Sequence, residues 1–433
     1  MLPEGDILLY GAGREARSTL AFLQQRAGNN RFFVTVDSGQ ADLEGAEEIA
    51  PAALAEAISQ HRFALIVKSP GVSRYKPVFT LARETGIPVT SNLNLWGEAF
   101  RQGRQVVAVT GTKGKSTTAT LTHLMLRASG SDAGLAGNVG VAPLDIADKH
   151  QTVVFELSSY QTADMDFLPD IAGVTNLYPE HVDWHEAVET YYRDKLNLIS
   201  RPGKLQIALG KAAEANPTVL EAVGDRSRLL SPINDLVDPE TLDEAIGRSR
   251  LKGTHNWDNA RLAARLALAA GASVDGVLAG IAEFQPLPHR LEEHRFGRFR
   301  VVNDSISTTP EATKAALAAY RGQRLALIAG GHERQQNYGE LVTRLDAEGV
   351  TTLVCLPVTG RRLAEAAARD CPHVLVLEAA DLDEAMHSLV ERADRFDTLI
   401  LSPGAPSYNQ FRNFEERGKA FLELAKLLGP ETV

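Results

Sequence analysis

The sequence predicts an α/β fold of three domains with mainly parallel sheets, and two features carry that prediction. Short apolar runs, among them residues 7–10, 106–109, 152–155 and 325–329, each pass into a glycine-rich or polar turn and then into a segment of helical periodicity. Strand, turn and helix alternating in this way favour parallel strands joined by helical crossovers. The chain of 433 residues is also longer than one ordinary core organises, so two or three domains are expected.

Hydrophobic residues make up 44% of the chain and charged residues 23%, the balance of a soluble globular protein. The net charge of −10 argues against a nucleic-acid partner, which would select a clustered basic surface. No run approaches the roughly 18 apolar residues of a membrane span. The first six residues lack the basic and apolar pattern of a secretory leader. Cys355 and Cys371 form neither a disulfide framework nor a CxxC metal site, and are expected as reduced thiols of a cytoplasmic protein.

Residues 1–102 read as a Rossmann-like α/β domain. A strand at 7–10 enters Gly11-Ala12-Gly13-Arg14-Glu15-Ala16, a GxGxxA turn that opens a helix. A second strand at 32–36 ends at Asp37, where an acidic side chain would meet a ribose hydroxyl. Further strands are expected at 64–67, before the turn Lys68-Ser69-Pro70-Gly71-Val72, and at 87–89. On its own this pattern fits a dinucleotide site, a nicotinamide enzyme included, or a bare tight turn.

Residues 103–287 open on the strand 106–109 and the loop Thr110-Gly111-Thr112-Lys113-Gly114-Lys115-Ser116-Thr117, which leads into a helix. This is the layout of a P-loop, ATPase-like parallel sheet: backbone N–H groups cradle phosphate oxygens, Lys115 adds charge, and the Ser116 hydroxyl suits Mg²⁺. Val109 stands where the full motif has its first glycine, so the match is to the shortened GxxGKS form. Residues 134–140 are expected as a glycine-rich turn. The strand 152–155 ends at Glu156, placed for Mg²⁺ at the carboxyl edge of the sheet. The strand 171–177 precedes Pro179-Glu180-His181-Val182-Asp183-Trp184-His185, either a metal cluster or one solvated face. Lys195, on a helix with Tyr191, would ordinarily be a surface ion pair. His255-Asn256-Trp257-Asp258-Asn259 comes before an alanine-rich helix at 260–270 and could read a purine edge or cap that helix.

Residues 288–433, beyond the prolines at 286 and 288, read as a second Rossmann-like α/β domain. Strands are expected at 299–303, 325–329, 352–356, 373–377 and 398–401. The loops 304–310, 330–334 and 402–407 each follow a strand end, so they are expected to share one crevice.

Taken in order over the whole chain, TGTKGKST, GNVG, ELSSYQ, PEHVDWH, YRDKLNLI, HNWDNARLAA, PHRLE, NDSISTTP and LSPGAPSYNQFRNFEERG resemble the Mur ligases of peptidoglycan synthesis. ELSSYQ and the last segment resemble their glutamate-adding branch. The resemblance implies an ATP-dependent ligase that converts the carboxylate of UDP-N-acetylmuramoyl-L-alanine to an acyl phosphate and then joins it to the amine of glutamate. It implies ATP contacts at Gly111, Thr112, Lys113, Gly114, Lys115, Ser116 and Thr117 and an adenine contact at Asn259, with Arg290 and Asp304 reaching the ATP when domains close. Ser116 and Glu156 would hold one Mg²⁺, and His181 with Lys195, carried as a carbamate, a second. Lys115, His181 and Lys195 would be the catalytic groups. Gly13, Arg14, Asp37, Ser69, Gly71, Asn138 and Ser159 would meet the UDP-sugar, and Thr308, Arg334, Ser407 and Phe414 the glutamate. A monomer acting on small molecules, with no nucleic-acid or membrane partner, is implied.

Three departures concern the amino acid and the phosphate loop. D-Glutamate enzymes of the family usually show DSKATN where this chain has Asp304-Ser305-Ile306-Ser307-Thr308-Thr309, lysine where it has Arg334, and asparagine where it has Lys113. An arginine fork binds a carboxylate bidentately, along a different direction from a lysine point charge. GTKGKST, ELSSYQT, PEHVDWH and DSISTTP together resemble the branch that adds L-glutamate, whose product a separate epimerase then inverts. D-Glutamate is the alternative.

Overall fold

Three sheets organise the computed structural model, which describes residues 3–26, 28, 30–37, 40–251, 253–285, 288–333 and 336–432. The chain divides into two compact units, Met1–Phe284 and Gln285–Val433. The joint expected near residue 102 falls inside the first unit. The joint expected at 287 falls on residues outside the described ones.

The first unit carries two wholly parallel sheets. β1 (Asp6–Tyr10), β2 (Phe32–Thr35), β3 (Glu47–Glu48), β4 (Phe63–Lys68) and β5 (Val89–Thr90) assemble in the order β3-β2-β1-β4-β5. That is the Rossmann order, in which ligands gather where the loops after β1 and β4 part. Alternate residues of β1 feed different cores: Ile7 and Leu9 pack with the helix Arg14–Gln24, Leu8 and Tyr10 with Phe33 and Phe79.

β6 (Gln105–Thr110), β7 (Ala133–Gly137), β8 (Thr152–Glu156), β9 (Ile171–Val174) and β10 (Gln206–Leu209) follow in the order β10-β9-β6-β8-β7. β6 is central, so both faces are covered. Val107 and Val109 enter one core and Val106 and Ala108 the other, which explains an unbroken apolar run in place of alternation. The register sets Val109 beside Glu156 and Thr110 beside Val174, so the loops after β6, β8 and β9 leave one sheet edge side by side.

The second unit holds β11 (Glu292–Phe296), β12 (Phe299–Asn303), β13 (Leu325–Gly330), β14 (Val350–Leu356), β15 (Leu375–Glu378), β16 (Thr398–Leu401) and β17 (Glu431–Thr432). Their order is β15-β14-β13-β16-β12-β11-β17. β12 to β16 are parallel, while β11 pairs antiparallel with both β12 and β17, so this sheet is mixed.

Several sequence expectations need correction. Residues 134–140, expected as a turn, are strand β7 as far as Gly137. Its glycines serve packing: a Cβ at Gly137 would stand 2.2 Å from the Glu156 carbonyl oxygen, and one at Gly134 2.3 Å from the His150 ring. β9 leaves the sheet after Val174, which frees Thr175 and Asn176. The helix Thr254–Ala269 starts early enough to include Asn256 and Asn259. β10 and β11 were not anticipated. Both cysteines are buried and outside any disulfide. Among the described residues no helix is long and apolar enough to cross a membrane.

Candidate functional site

Gly111 (φ +139°) and Gly114 (φ +84°) adopt backbone conformations that L side chains resist, and both leave room for a neighbour. A Cβ at Gly111 would stand 1.9 Å from Thr175 Oγ1, and one at Gly114 2.4 Å from Asn259 Oδ1. The residues just beyond β9 clasp the loop. Thr112 N donates to Asn176 O (3.1 Å), Lys113 N to Asn176 Oδ1 (2.9 Å), and Thr175 Oγ1 to Lys113 O (2.6 Å). The Tyr191 hydroxyl meets Thr112 Oγ1 at 2.9 Å. Lys115 opens the helix Lys115–Ala128 and turns its Nζ back to Thr112 O (2.9 Å), which keeps its charge on the loop. Ser116 and Thr117 follow in the first helical turn, where free N–H groups favour an anion.

Glu156 ends β8 and is fully buried. Its Oε1 accepts from Asn138 Nδ2 (2.9 Å), while Oε2 has no hydrogen-bond partner. A buried carboxylate oxygen left alone is costly unless a cation meets it, so the residue fits a Mg²⁺ site. Among the described residues no three His, Cys, Asp or Glu side chains gather as a metal cluster. A cation beside Glu156 would therefore draw further ligands from water and nucleotide phosphates, the usual habit of Mg²⁺.

Lys195 belongs to the helix Val188–Ser200 and is buried, with Nζ donating to Gly111 O (2.9 Å). Burial, then the like charge of Lys115, pushes its ammonium well below the ordinary lysine range, against the pull of Glu180 and Glu156. The surface ion pair expected of an isolated lysine is thus replaced by a buried amine. His181 sits at φ +56° ahead of the short helix Val182–His185. Desolvation, with Lys195 and Lys115 adding to it against Glu180, pushes its ring down to about 4, although 40% of the side chain is exposed. The neutral ring is the form that ligates a cation. Partial burial would raise the Glu180 carboxyl, but Lys113 Nζ at 2.6 Å outweighs it and holds the group low. PEHVDWH is split rather than one solvated face: His181, Val182 and Asp183 are exposed, while Trp184 and His185 are buried.

At the carboxyl edge of the first sheet the loops after β1 and β4 touch, since a Cβ at Gly11 would stand 2.5 Å from Ser69 Oγ. Gly13 caps the helix Arg14–Gln24, and Gly71 is exposed on the second of these loops. Asp37 accepts from Tyr10 Oη (2.6 Å) and Lys76 Nζ (2.8 Å). Arg14 Nη1 donates to Gly140 O (2.6 Å), which brings the turn after Asn138 against the GxGxxA loop. Ser159, expected at the UDP-sugar, is only 2% exposed and its hydroxyl meets His185 Nε2 at 2.9 Å.

The contact between these two sheets has a pH consequence. Glu15 Oε1 accepts from Gln161 Nε2 (2.7 Å), Oε2 is buried without a partner, and burial pushes the carboxyl up to about 7, against the Gln161 hydrogen bond and the charge of Arg14. The folded protein therefore holds this proton more tightly than the unfolded chain, whose value is near 4.5. Its contribution to stability is fully present below that value and is lost as pH rises towards 7. Glu15→Gln should remove this loss, stabilising the unit at pH 8 by about 2 kcal/mol and raising Tm there by roughly 5 °C, with little change at pH 4.5. Thermal melts of both proteins at the two pH values check this, and parallel pH dependence would contradict it.

In the second unit the loops after β12, β13 and β16 converge. Ser402 Oγ donates to Asp304 Oδ2 (2.7 Å), Gly404 N to Ser307 O (3.0 Å), Gly330 N to Pro403 O (2.8 Å) and His332 N to Pro406 O (2.8 Å). Thr308 O accepts from Gln336 Nε2 (3.0 Å), Ser407 is buried, and Phe414 O accepts from Ser305 Oγ (2.8 Å). Burial pushes Asp304 up to about 6, against hydrogen bonds from Ser307 and Ser402 and the charge of Arg290. Arg290 Nε is itself buried without a hydrogen-bond partner. Arg334 lies outside the described residues. Sequence reasoning passed over Arg417, which is 1% exposed and spans two loops: Nε donates to Ser305 Oγ (3.0 Å), Nη2 to Ser305 O (2.8 Å), and Nη1 to Ala405 O (3.1 Å). It also passed over Thr175 and Asn176. Their place just after the strand beside the phosphate loop was the available signal.

Comparison with known proteins agrees with this arrangement. Residues 109–225 match the Mur ligase middle domain, and residues 289–405 the Mur ligase, glutamate ligase domain. The chain is 33% identical over 446 residues to the UDP-N-acetylmuramoyl-L-alanine–L-glutamate ligase of Xanthomonas axonopodis pv. citri, covering 97% of this chain and 94% of that protein. It is 34% identical over 450 residues to the ligase of the same name from a Micromonospora species, covering 97% and 96%. In fold it is similar to the crystal structure of UDP-N-acetylmuramate–alanine ligase from Thermotoga maritima, with a TM-score of 0.60 at 16% identity over 97% of this chain and 98% of that one. A MurF ligase from the same organism in complex with ADP gives a TM-score of 0.55 at 15% identity over 99% and 96%. Phosphate loop, buried glutamate and ordered motifs thus stand in a chain whose relatives share nearly its full length, and the chain belongs to the Mur ligase family.

Proposed function

We propose that this Mur ligase joins L-glutamate to UDP-N-acetylmuramoyl-L-alanine at the expense of ATP, with Mg²⁺ as its cation. The observation that carries the chemistry is the grouping of Lys115, Glu156 and Lys195 around one phosphate loop, with His181 within electrostatic reach of Lys115 and Lys195. The shared name of the relatives supports the substrates. In this reading residues 1–102 bind the UDP-sugar through Gly13, Arg14, Asp37, Ser69 and Gly71, with Asn138 beside them. Residues 103–287 bind ATP, with Asn259 at the adenine, and residues 288–433 bind the amino acid through Thr308, Ser407, Phe414 and Arg334, Arg290 and Asp304 serving the ATP.

A carboxylate is a poor electrophile, and its oxygen must first attack the γ-phosphorus so that ADP leaves and an acyl phosphate forms. The glutamate amine then attacks the acyl carbon, phosphate departs, and the nitrogen gives up a proton as the amide forms. Lys115 offsets charge developing on the terminal phosphates from its place on the loop. Ser116 and Glu156 would hold one Mg²⁺, and His181 and Lys195 a second. Cations bound there would screen the repulsion between phosphate and acceptor carboxylate. The buried amine of Lys195 is held towards its neutral form, the form that adds CO₂, and a carbamate would make it an anionic oxygen ligand.

The preference for L-glutamate is supported by Ile306 standing where D-glutamate enzymes carry a lysine, by Arg334, and by the names of the relatives. On this reading the enzyme works as a cytoplasmic monomer and passes its product to a separate epimerase. Phosphate release should require ATP, Mg²⁺, UDP-N-acetylmuramoyl-L-alanine and glutamate together. Release that ignores the muramoyl substrate would overturn the proposal.

A further inference from the structure

The candidate ligands His181 and Lys195 lie on segments that do not obviously hold each other. His181 precedes a helix of only four residues, Val182–His185, and both residues flanking that helix, His181 (φ +56°) and Glu186 (φ +67°), are in the left-handed region. Non-glycine residues persist there only when surrounding contacts over-determine them. Two side chains supply the contacts. Trp184 Nε1 donates to Pro70 O (3.1 Å), and Ser73 Oγ donates to Trp184 O (2.8 Å), which ties the turn to the loop after β4.

The other anchor is His185, whose ring is fully buried with both nitrogens engaged. Nδ1 meets Asp194 Oδ2 at 2.7 Å, and Nε2 meets Ser159 Oγ at 2.9 Å. A carboxylate only accepts, so in the neutral ring the proton sits on Nδ1 and Nε2 accepts from the serine hydroxyl. Asp194 accepts in addition from Tyr75 Oη (2.8 Å). The series Tyr75, Asp194, His185, Ser159 thus runs without an unmatched donor, and a directed chain of this kind is stiff. Three of the four members neighbour a candidate site group. Asp194 precedes Lys195, Ser159 lies three residues beyond Glu156, and the His185 backbone N donates to His181 O (3.1 Å). The Tyr191 ring stands by both ligands, 5.0 Å from Lys195 Nζ and 6.3 Å from the His181 ring, and 5.2 Å from His185.

We propose that His185 is a positioning residue: bound between Asp194 and Ser159, it fixes the 181–186 turn against the Val188–Ser200 helix, so that His181 and Lys195 are presented at one separation to a divalent cation. The inference rests on the ligase reading above, because that reading supplies the cation. Outer partners of metal ligands commonly change affinity or activity by about 10- to 100-fold when removed. His185 touches neither cation nor substrate and is not itself catalytic.

The test is Mn²⁺ binding to the full chain with ADP, followed by electron paramagnetic resonance, alongside ligase kinetics and melting. In His185→Ala the half-saturating Mn²⁺ concentration should rise about 10-fold and kcat should fall at least as far, while KM for the UDP-sugar stays within about 2-fold. His185→Asn keeps an N–H for Asp194 and should recover part of both losses. Tyr75→Phe removes the outermost donor to Asp194, together with the acceptor of Arg193 Nη2; it serves if His185→Ala does not fold, and should raise half-saturation about 2- to 3-fold. Wild-type Mn²⁺ binding in His185→Asn and Tyr75→Phe, or a loss confined to Tm, would overturn the proposal. Lys195→Ala and Glu156→Ala distinguish the two levels. If they bind Mn²⁺ normally the metal reading fails, and if they bind weakly while the His185 variants do not, only the positioning role fails.

Discussion

Lys195→Ala should lower glutamate-dependent phosphate release by about 10³-fold or more, because it removes a group placed at the centre of charge neutralisation. The stability cost should be small by comparison. Lys195 Nζ donates to Gly111 O, and losing a neutral bond of that kind costs about 1 kcal/mol. A near-normal Tm with activity nearly abolished would therefore separate a chemical role from a structural one. Formate or acetate should restore part of the activity, since a small carboxylate can stand where the carbamate oxygens would lie. Mass spectrometry of the intact protein in bicarbonate offers a second check, and wild-type turnover by the alanine variant would refute the carbamate role.

Gly111→Ala should have the second large effect, through the backbone. The added Cβ would stand 1.9 Å from Thr175 Oγ1 and 3.0 Å from Thr175 N, and the residue would keep a φ of +139° that alanine resists. Thr175 cannot yield freely, because its hydroxyl donates to Lys113 O and its N–H to Thr110 O. The clash therefore spreads through the loop, and a loss of about 3 kcal/mol in stability is expected, with ADP no longer raising Tm. Gly71→Ala makes a suitable control for stability. Nothing lies within 4 Å of its added Cβ and its φ is ordinary, so Tm should hold. Equal Tm values and equal ADP protection in wild type and Gly111→Ala would contradict the packing argument.

How far the sequence could be read depended on what each residue owes to its neighbours in the chain. The β6 run and its glycine loop were legible because a central parallel strand is apolar on both faces, and because the phosphate cradle is local. The loops of the second unit were legible as a converging set because each directly follows a strand. β7 was hidden: two of its five residues are glycine, and they are required by the Glu156 carbonyl and the His150 ring, contacts invisible to periodicity. β11 was hidden by Glu292, Glu293, His294 and Arg295, polar residues tolerated because that strand pairs near the antiparallel end of a mixed sheet. Local reasoning made Lys195 a surface ion pair, and only the fold reveals its burial against Gly111 O. His185, Asp194 and Ser159 stand apart in sequence and meet only in the folded unit. Arg417 sits in a motif that resemblance picked out as a block, but its task of joining Ser305 to Ala405 arises only in the fold.

Phosphate release measured with ATP, Mg²⁺, UDP-N-acetylmuramoyl-L-alanine and each glutamate enantiomer in turn tests the central claim most directly. Rapid release with L-glutamate and little with D-glutamate is the expected result. Turnover with D-glutamate alone would contradict the L-specific assignment, and no turnover with either would contradict the ligase itself.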